Sequence, residues 1–216
     1  MRDPSLDEVA EAVLGAFPKL SDDEQTVSLA LYRLLAQGHP VATLRLAEEA
    51  GFSPEQVQDM IARWHGVYVD PDGAVVGYWG LALPPMQHRF RVNGRGLYTW
   101  CAWDALFIPP ILGFDAEVES ECPVSKKAIA LRVTPEGVAS VRPDSVVLSF
   151  LTPERTRIEE NVVAHFCHYV HFFASTADGE RWTAQHPGTF LMSLDDAWRL
   201  GQRKNAAQYH EFAVAG

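Results

Sequence analysis

The chain has 216 residues, with 18 Lys+Arg against 28 Asp+Glu and a formal net charge of −10. That length allows one large domain or two small ones, and a chain of about 150 residues or more buries roughly 70% of its unfolded surface. A hydrophobic content of 47% with 21% charged residues excludes a disordered or low-complexity chain, and the acidic balance argues against a nucleic-acid partner, which needs clustered Lys and Arg. Three cysteines, at 101, 122 and 167, are too few and odd in number for a disulfide-stapled secreted domain. The acidic opening Met1-Arg2-Asp3-Pro4 is not followed by the apolar run of a signal peptide. No apolar stretch approaches the ~20 residues that span a bilayer. A reducing cytoplasm with three free thiols, and no membrane partner, is the expectation.

Leu6, Val9, Ala10, Val13, Leu14 and Phe17 recur at helical spacing, and Pro18 ends that run. Ser21 with Glu24 is a capping-box signature opening a helix that buries Val27, Leu31, Leu34 and Leu35. A third helix is predicted over 43–50, closed by Gly51. A fourth starts at Ser53-Pro54 and buries Val57, Met60, Ile61 and Trp64. A hairpin comes next, 67–69 and 75–79 around Asp70-Pro71-Asp72-Gly73. Helices plus a β-hairpin wing make a winged-helix-like module. DNA binding is the sharp reading of such a module, and its charge opposes it. Residues 1–85 carry five basic side chains against thirteen acidic ones. A structural or lid-forming role is expected instead.

Pro84-Pro85 marks a boundary, giving expected domains 1–83 and 84–216. The second part reads as a strand at 90–92, a turn at 93–96, and a helix over 97–107 that Pro109-Pro110 terminates. Strands are predicted at 114–121, 127–133, 145–151 and 162–173, and a last helix from Leu194 to about Tyr209. The fold class is α+β: a winged-helix-like helical module, then an α+β catalytic domain with a mostly antiparallel sheet.

Cys101 and Asp104 stand three apart, which on a helix puts a thiol beside a carboxyl. Asp104 is the only charged residue between Arg95 and Asp115. A carboxyl in apolar surroundings tends to hold its proton, which suits it to proton transfer near neutral pH. Cys167 lies among His165, His168 and His171. Their spacing does not match the paired ligands of structural zinc. Serine-hydrolase, phosphate-loop, dinucleotide and zinc-protease motifs are absent, while a Cys–His nucleophile stays open on composition.

Two segments resemble the organomercurial (alkylmercury) lyase family. The first is Leu97-Tyr98-Thr99-Trp100-Cys101-Ala102-Trp103-Asp104-Ala105-Leu106. The second is Phe166-Cys167-His168-Tyr169-Val170-His171-Phe172-Phe173-Ala174-Ser175. The resemblance runs over roughly 20–205 and implies protonolytic cleavage of a carbon–mercury bond to hydrocarbon and Hg(II), in mercury detoxification. It implies Cys101, Asp104 and Cys167 as the catalytic set and as ligands of the Hg(II) product, with Cys122 structural. His168 departs from the pattern, since some members carry a second adjacent cysteine there. Trp100 and Phe166 flank the cysteines and are candidates for an apolar substrate pocket. The implied partners are a small organomercurial substrate and, for Hg(II) hand-off, cellular thiols or a mercuric reductase. No organic cofactor is implied. The competing reading is a non-catalytic mercury- or copper-binding protein of the same fold.

Overall fold

A computed structural model describes residues 3–212. The expected domains and the opening dipeptide of the N-terminal reading include residues 1–2 and 213–216, which lie outside the described residues. The N-terminal module contains helices α1 (Leu6–Ala16), α2 (Asp22–Leu35), α3 (Thr43–Ala50) and α4 (Pro54–Arg63). Capping boxes open three of them, at Ser5/Glu8, Ser21/Glu24 and Ser53/Gln56. Each supplies partners for N–H groups that the first helical turn leaves free. After α4 the wing forms as β1 (Val67–Val69) and β2 (Val75–Tyr78).

The wing is continuous with the larger sheet of the molecule. Strand β2 pairs with β3 (Leu81–Ala82), and β3 pairs with β5 (Arg95–Thr99). Strand β5 forms a hairpin with β4 (His88–Val92) through Asn93-Gly94, both at positive φ (48° and 73°), as a tight two-residue turn requires. Next to β4 come β6 (Ala116–Glu121), β7 (Ala128–Thr134) and β8 (Gly137–Arg142). The result is one antiparallel eight-stranded sheet in the order β1-β2-β3-β5-β4-β6-β7-β8. The position 83/84 falls in the β3–β4 connection, inside this sheet. A second sheet has β9 (Val147–Leu151) between β10 (Phe172–Phe173) and β11 (Thr189–Ser193). The remaining helices are α5 (Asp104–Leu112), α6 (Arg155–His165), α7 (Thr176–Thr183) and α8 (Leu194–Gln208). No helix among the described residues is long and apolar enough to cross a membrane.

Three sequence expectations need correction. The segment 97–107 is not one helix. Residues 95–99 stay in the sheet, and Trp100 N–H donates to Gly80 O at 2.9 Å, so ladder pairing overrides helical spacing until the chain turns at 101–103. Pro109-Pro110 does not end the helix. Helix α5 runs through both prolines to Leu112, with Gly113 as its left-handed C-cap. All nine of its residues are buried, and that burial outweighs the roughly 3 kcal/mol that an interior proline costs. The run 162–173 is not a strand. It is the end of α6, a 3₁₀ turn at Cys167–Tyr169, and only two strand residues. Ser149 on β9 fixes that path. Its Oγ–H donates to Tyr169 O (2.7 Å), its Oγ accepts from His171 N–H (3.0 Å), and its own N–H donates to His171 O (3.0 Å).

Cys122 belongs to a separate buried cluster. Its thiol donates to Asp178 Oδ2 at 3.7 Å, and the Ser125 hydroxyl donates to the same oxygen at 2.8 Å. Arg181 pairs with the other carboxylate oxygen. Cys122→Ser is expected to lower the melting temperature by a few degrees, through about 1–2 kcal/mol, while the reactivity of Cys101 and Cys167 is unchanged. Thermal melting with thiol titration checks this.

Candidate active site

Cys101, Asp104 and Cys167 converge: one ligand atom from each lies within 4.8 Å of the others. Among the described residues they form the only group of three or more His, Cys, Asp or Glu side chains able to hold a metal ion together. All three are buried, at 0%, 5% and 4% exposure. Asp104 opens α5 and turns its carboxylate back, so that Cys101 N–H donates to Oδ2 at 2.7 Å. The three-residue spacing works through this turn rather than through a shared helix face. The two motif segments are joined directly, with Ala102 N–H donating to Val170 O at 3.1 Å. The 3₁₀ turn that carries Cys167 is thereby held against the turn that carries Cys101.

Burial dominates the electrostatics. It pushes the Asp104 carboxyl up to about 6, against the opposing pull of hydrogen bonds from Cys101 and of the Lys204 charge. It pushes the Cys101 thiol well up, helped by its hydrogen bond to Cys167. Cys167 is also raised by burial, but accepting that hydrogen bond from Cys101 favours its thiolate. Both thiols are thus held toward their protonated form by burial. Lys204 on α8 is buried, with Nζ 4.1 Å from the centre of the Phe107 ring, and burial lowers it to about 7 while Asp104 opposes that fall.

Space for the Asp104 carboxyl comes from Gly80. A Cβ at this position would lie 2.5 Å from Asp104 Cγ and Oδ1, and Gly80 also has φ +99°. Trp79 beside it adopts φ 32°, which a non-glycine residue holds only under constraint. The constraint is the Tyr32 hydroxyl on α2, donating to Trp79 O at 2.8 Å in the buried interior. The Phe17 ring, 5.1 Å from Trp79, backs the same residue. The N-terminal module thus sets the floor under Asp104.

The expected pocket residues separate. Trp100 lines a surface cleft that reaches Cys167, together with Tyr68, Met86 and Val163. Phe166 faces inward instead, packed against Trp103, Phe150 and Phe17. His168 and His171 border the cleft, whereas His165 pairs with Glu160 at the surface at 3.6 Å. Sequence reasoning missed Gly80, Tyr32, Ser149 and Lys204. Of these, Lys204 carried a local signal, since it continues the buried α8 stripe of Ala197, Leu200 and Gln208 at helical spacing. Gly80→Ala is expected to displace Asp104 and lower turnover about 100-fold, with the fold retained by circular dichroism. Hydrocarbon release from an organomercurial measures it.

Comparison with known proteins bears on this site as a whole. A family model described as alkylmercury lyase matches residues 81–204, and one described as the helix-turn-helix domain of alkylmercury lyase matches 16–79. The alkylmercury lyase of Staphylococcus epidermidis is 39% identical over 181 residues, 84% of this chain and 82% of that protein. That of Streptomyces lividans is 38% identical over 172 residues, 80% and 78% of the two chains. The crystal structure of the mercury-bound form of MerB2 shares the fold, with a TM-score of 0.74 at 24% identity over 94% of this chain and 98% of that one. By its matches to both family models and to these relatives, the chain belongs to the alkylmercury lyase family.

Proposed function

We propose that Cys101, Asp104 and Cys167 perform the carbon–mercury cleavage of this organomercurial lyase, with Hg(II) as the product they hold. The observation that carries the reading is the burial of two thiols and one carboxyl within 4.8 Å of one another. Mercury is soft and thiolates are its best side-chain ligands. Cys167 borders the cleft and Cys101 does not, so Cys167 meets the substrate and attacks first. It displaces the carrier thiol from R–Hg–SR′, and one proton leaves with that thiol. Cys101 then adds to mercury and gives its proton to Asp104. Two thiolates now donate into the mercury, the electron pair of the carbon–mercury bond stays with carbon, and Asp104 delivers the proton there. One R–Hg–SR′ and two thiols become R–H, R′SH and Hg(II) bound by Cys101 and Cys167, with Asp104 beside it.

The soft ligands and the proton all come from side chains, so this route calls on no organic cofactor or resident metal. Hg(II) passes on to cellular thiols or to a mercuric reductase. The work is done in a reducing cytoplasm, because a disulfide between Cys101 and Cys167 would remove both mercury ligands. The division into a supporting module (1–83) and a catalytic domain (84–216) belongs to the same reading, with the acidic module bracing the site rather than binding nucleic acid. A mere mercury or copper carrier would have no use for a carboxyl held near its proton-transfer range at the thiols.

Cys101→Ser, Cys167→Ser and Asp104→Ala are each expected to abolish methane release from methylmercury in excess thiol, read by headspace analysis. Retained release in any one of them contradicts its assigned role. The pH dependence has a definite sign. Asp104 must start as carboxylate to take the Cys101 proton, and burial holds its pKa at about 6. kcat/KM is therefore expected to rise with pH through about 6. A fall across that range contradicts Asp104 as the initial proton acceptor.

A further inference from the structure

Tyr68 on β1 faces Gly77 on β2, and Gly77 faces Ala82 on β3. Facing residues of neighbouring strands project to the same side of a sheet. This row runs from a large ring to no side chain to a single methyl, so the sheet is hollow beside Tyr68. The Trp100 ring walls the hollow, edge-on to Tyr68 at 5.1 Å, and Met86 and Val163 border it. Its lining contains no charged residue.

A second hollow shares Tyr68, Met86, Trp100 and Val163 with the first and continues to Cys167. Around Cys167 the lining changes character, to Gln87, Asn161, His168 and His171. The cleft therefore has an apolar arm and a polar arm, meeting beside the Tyr68–Trp100 pair. The substrate of the function proposed above is divided in the same way. Its organic group is apolar, and its carrier thiol, in the cell, is a polar molecule.

We infer that the apolar arm receives the organic group and the polar arm the carrier thiol, so that Tyr68 and Gly77 on the wing determine which organic groups are accepted. The inference rests on the assignment of Cys167 as the first mercury ligand. It gives the winged-helix-like module a direct part in substrate selection, through a wall of the cleft rather than through DNA.

Gly77 allows a clean test. A Cβ there would lie 3.5 Å from Leu81 O, 3.6 Å from Tyr68 Cβ and 3.7 Å from Trp100 Cζ2, all ordinary contact distances. A methyl can therefore be placed in the apolar arm without moving the backbone. The measurement is kcat/KM for methylmercury and phenylmercury, each supplied as the same thiol adduct, in wild type, Gly77→Ala, Gly77→Val and Tyr68→Ala. The phenyl-to-methyl ratio is expected to fall about tenfold or more in Gly77→Val. A smaller fall is expected in Gly77→Ala, and a rise in Tyr68→Ala. If Gly77→Val does not fold, the Gly77→Ala and Tyr68→Ala ratios decide. A ratio unchanged in folded variants, with wild type cleaving both substrates, overturns this inference alone. A wild type that cleaves neither overturns the proposed function as well.

Discussion

The site depends on one constraint: three acidic groups are buried together beneath the cleft that Cys167 borders. Cys101, Asp104 and Cys167 are all buried, with ligand atoms within 4.8 Å. Holding all three as anions there would cost far more than the nearby Lys204 cation could return. Protons therefore stay on the group, and burial raises all three pKa values. In the proposed reaction, an incoming mercury cation removes that penalty by replacing protons with a soft positive charge. In that proposal, the same burial that keeps protons on these groups favours mercury binding and leaves a proton at hand for carbon.

Much of the fold serves to build this crowding. The sheet delivers Cys101 at the end of β5, where Trp100 N–H still pairs with Gly80 O. Ser149 holds the backbone just beyond Cys167, and Ala102 N–H clips that segment to the Cys101 turn. Gly80 leaves room for the carboxyl, and Tyr32 on α2 fixes the turn that contains Gly80. An acidic helix-turn-helix module is thereby explained as a brace. Its buried contacts reach to one residue from Asp104's floor, and its wing continues into the catalytic sheet.

What the sequence revealed and what it hid divide along physical lines. Signals set within three or four residues were legible: the Ser21/Glu24 and Ser53 caps, the Asn93-Gly94 turn and the α8 helix. The three side chains that converge, Cys101, Asp104 and Cys167, all lie in the two segments that resemble the lyase family. Path was harder. The run 162–173 is rich in β-branched and aromatic residues, yet most of it is helix and turn, because Ser149 fixes its backbone from a distant strand. Helix α5 keeps two prolines because it is wholly buried, a tertiary effect that local propensity does not contain. Gly80 and Tyr32 gain their importance only from contacts with residues 24 positions and 47 positions away in the chain, at Asp104 and Trp79 respectively.

The central claim is that the two buried thiols trade their protons for one mercury at one site, Cys167 first and Cys101 second. A single turnover tests it most directly: one equivalent of phenylmercury, no external thiol, with benzene quantified and the mercury-bearing cysteines identified by mass spectrometry after denaturation. One equivalent of benzene, with mercury bridging Cys101 and Cys167 and with Cys122 free, is the predicted result. Benzene release with mercury on Cys122, or with either Cys101 or Cys167 left unbound, would contradict it.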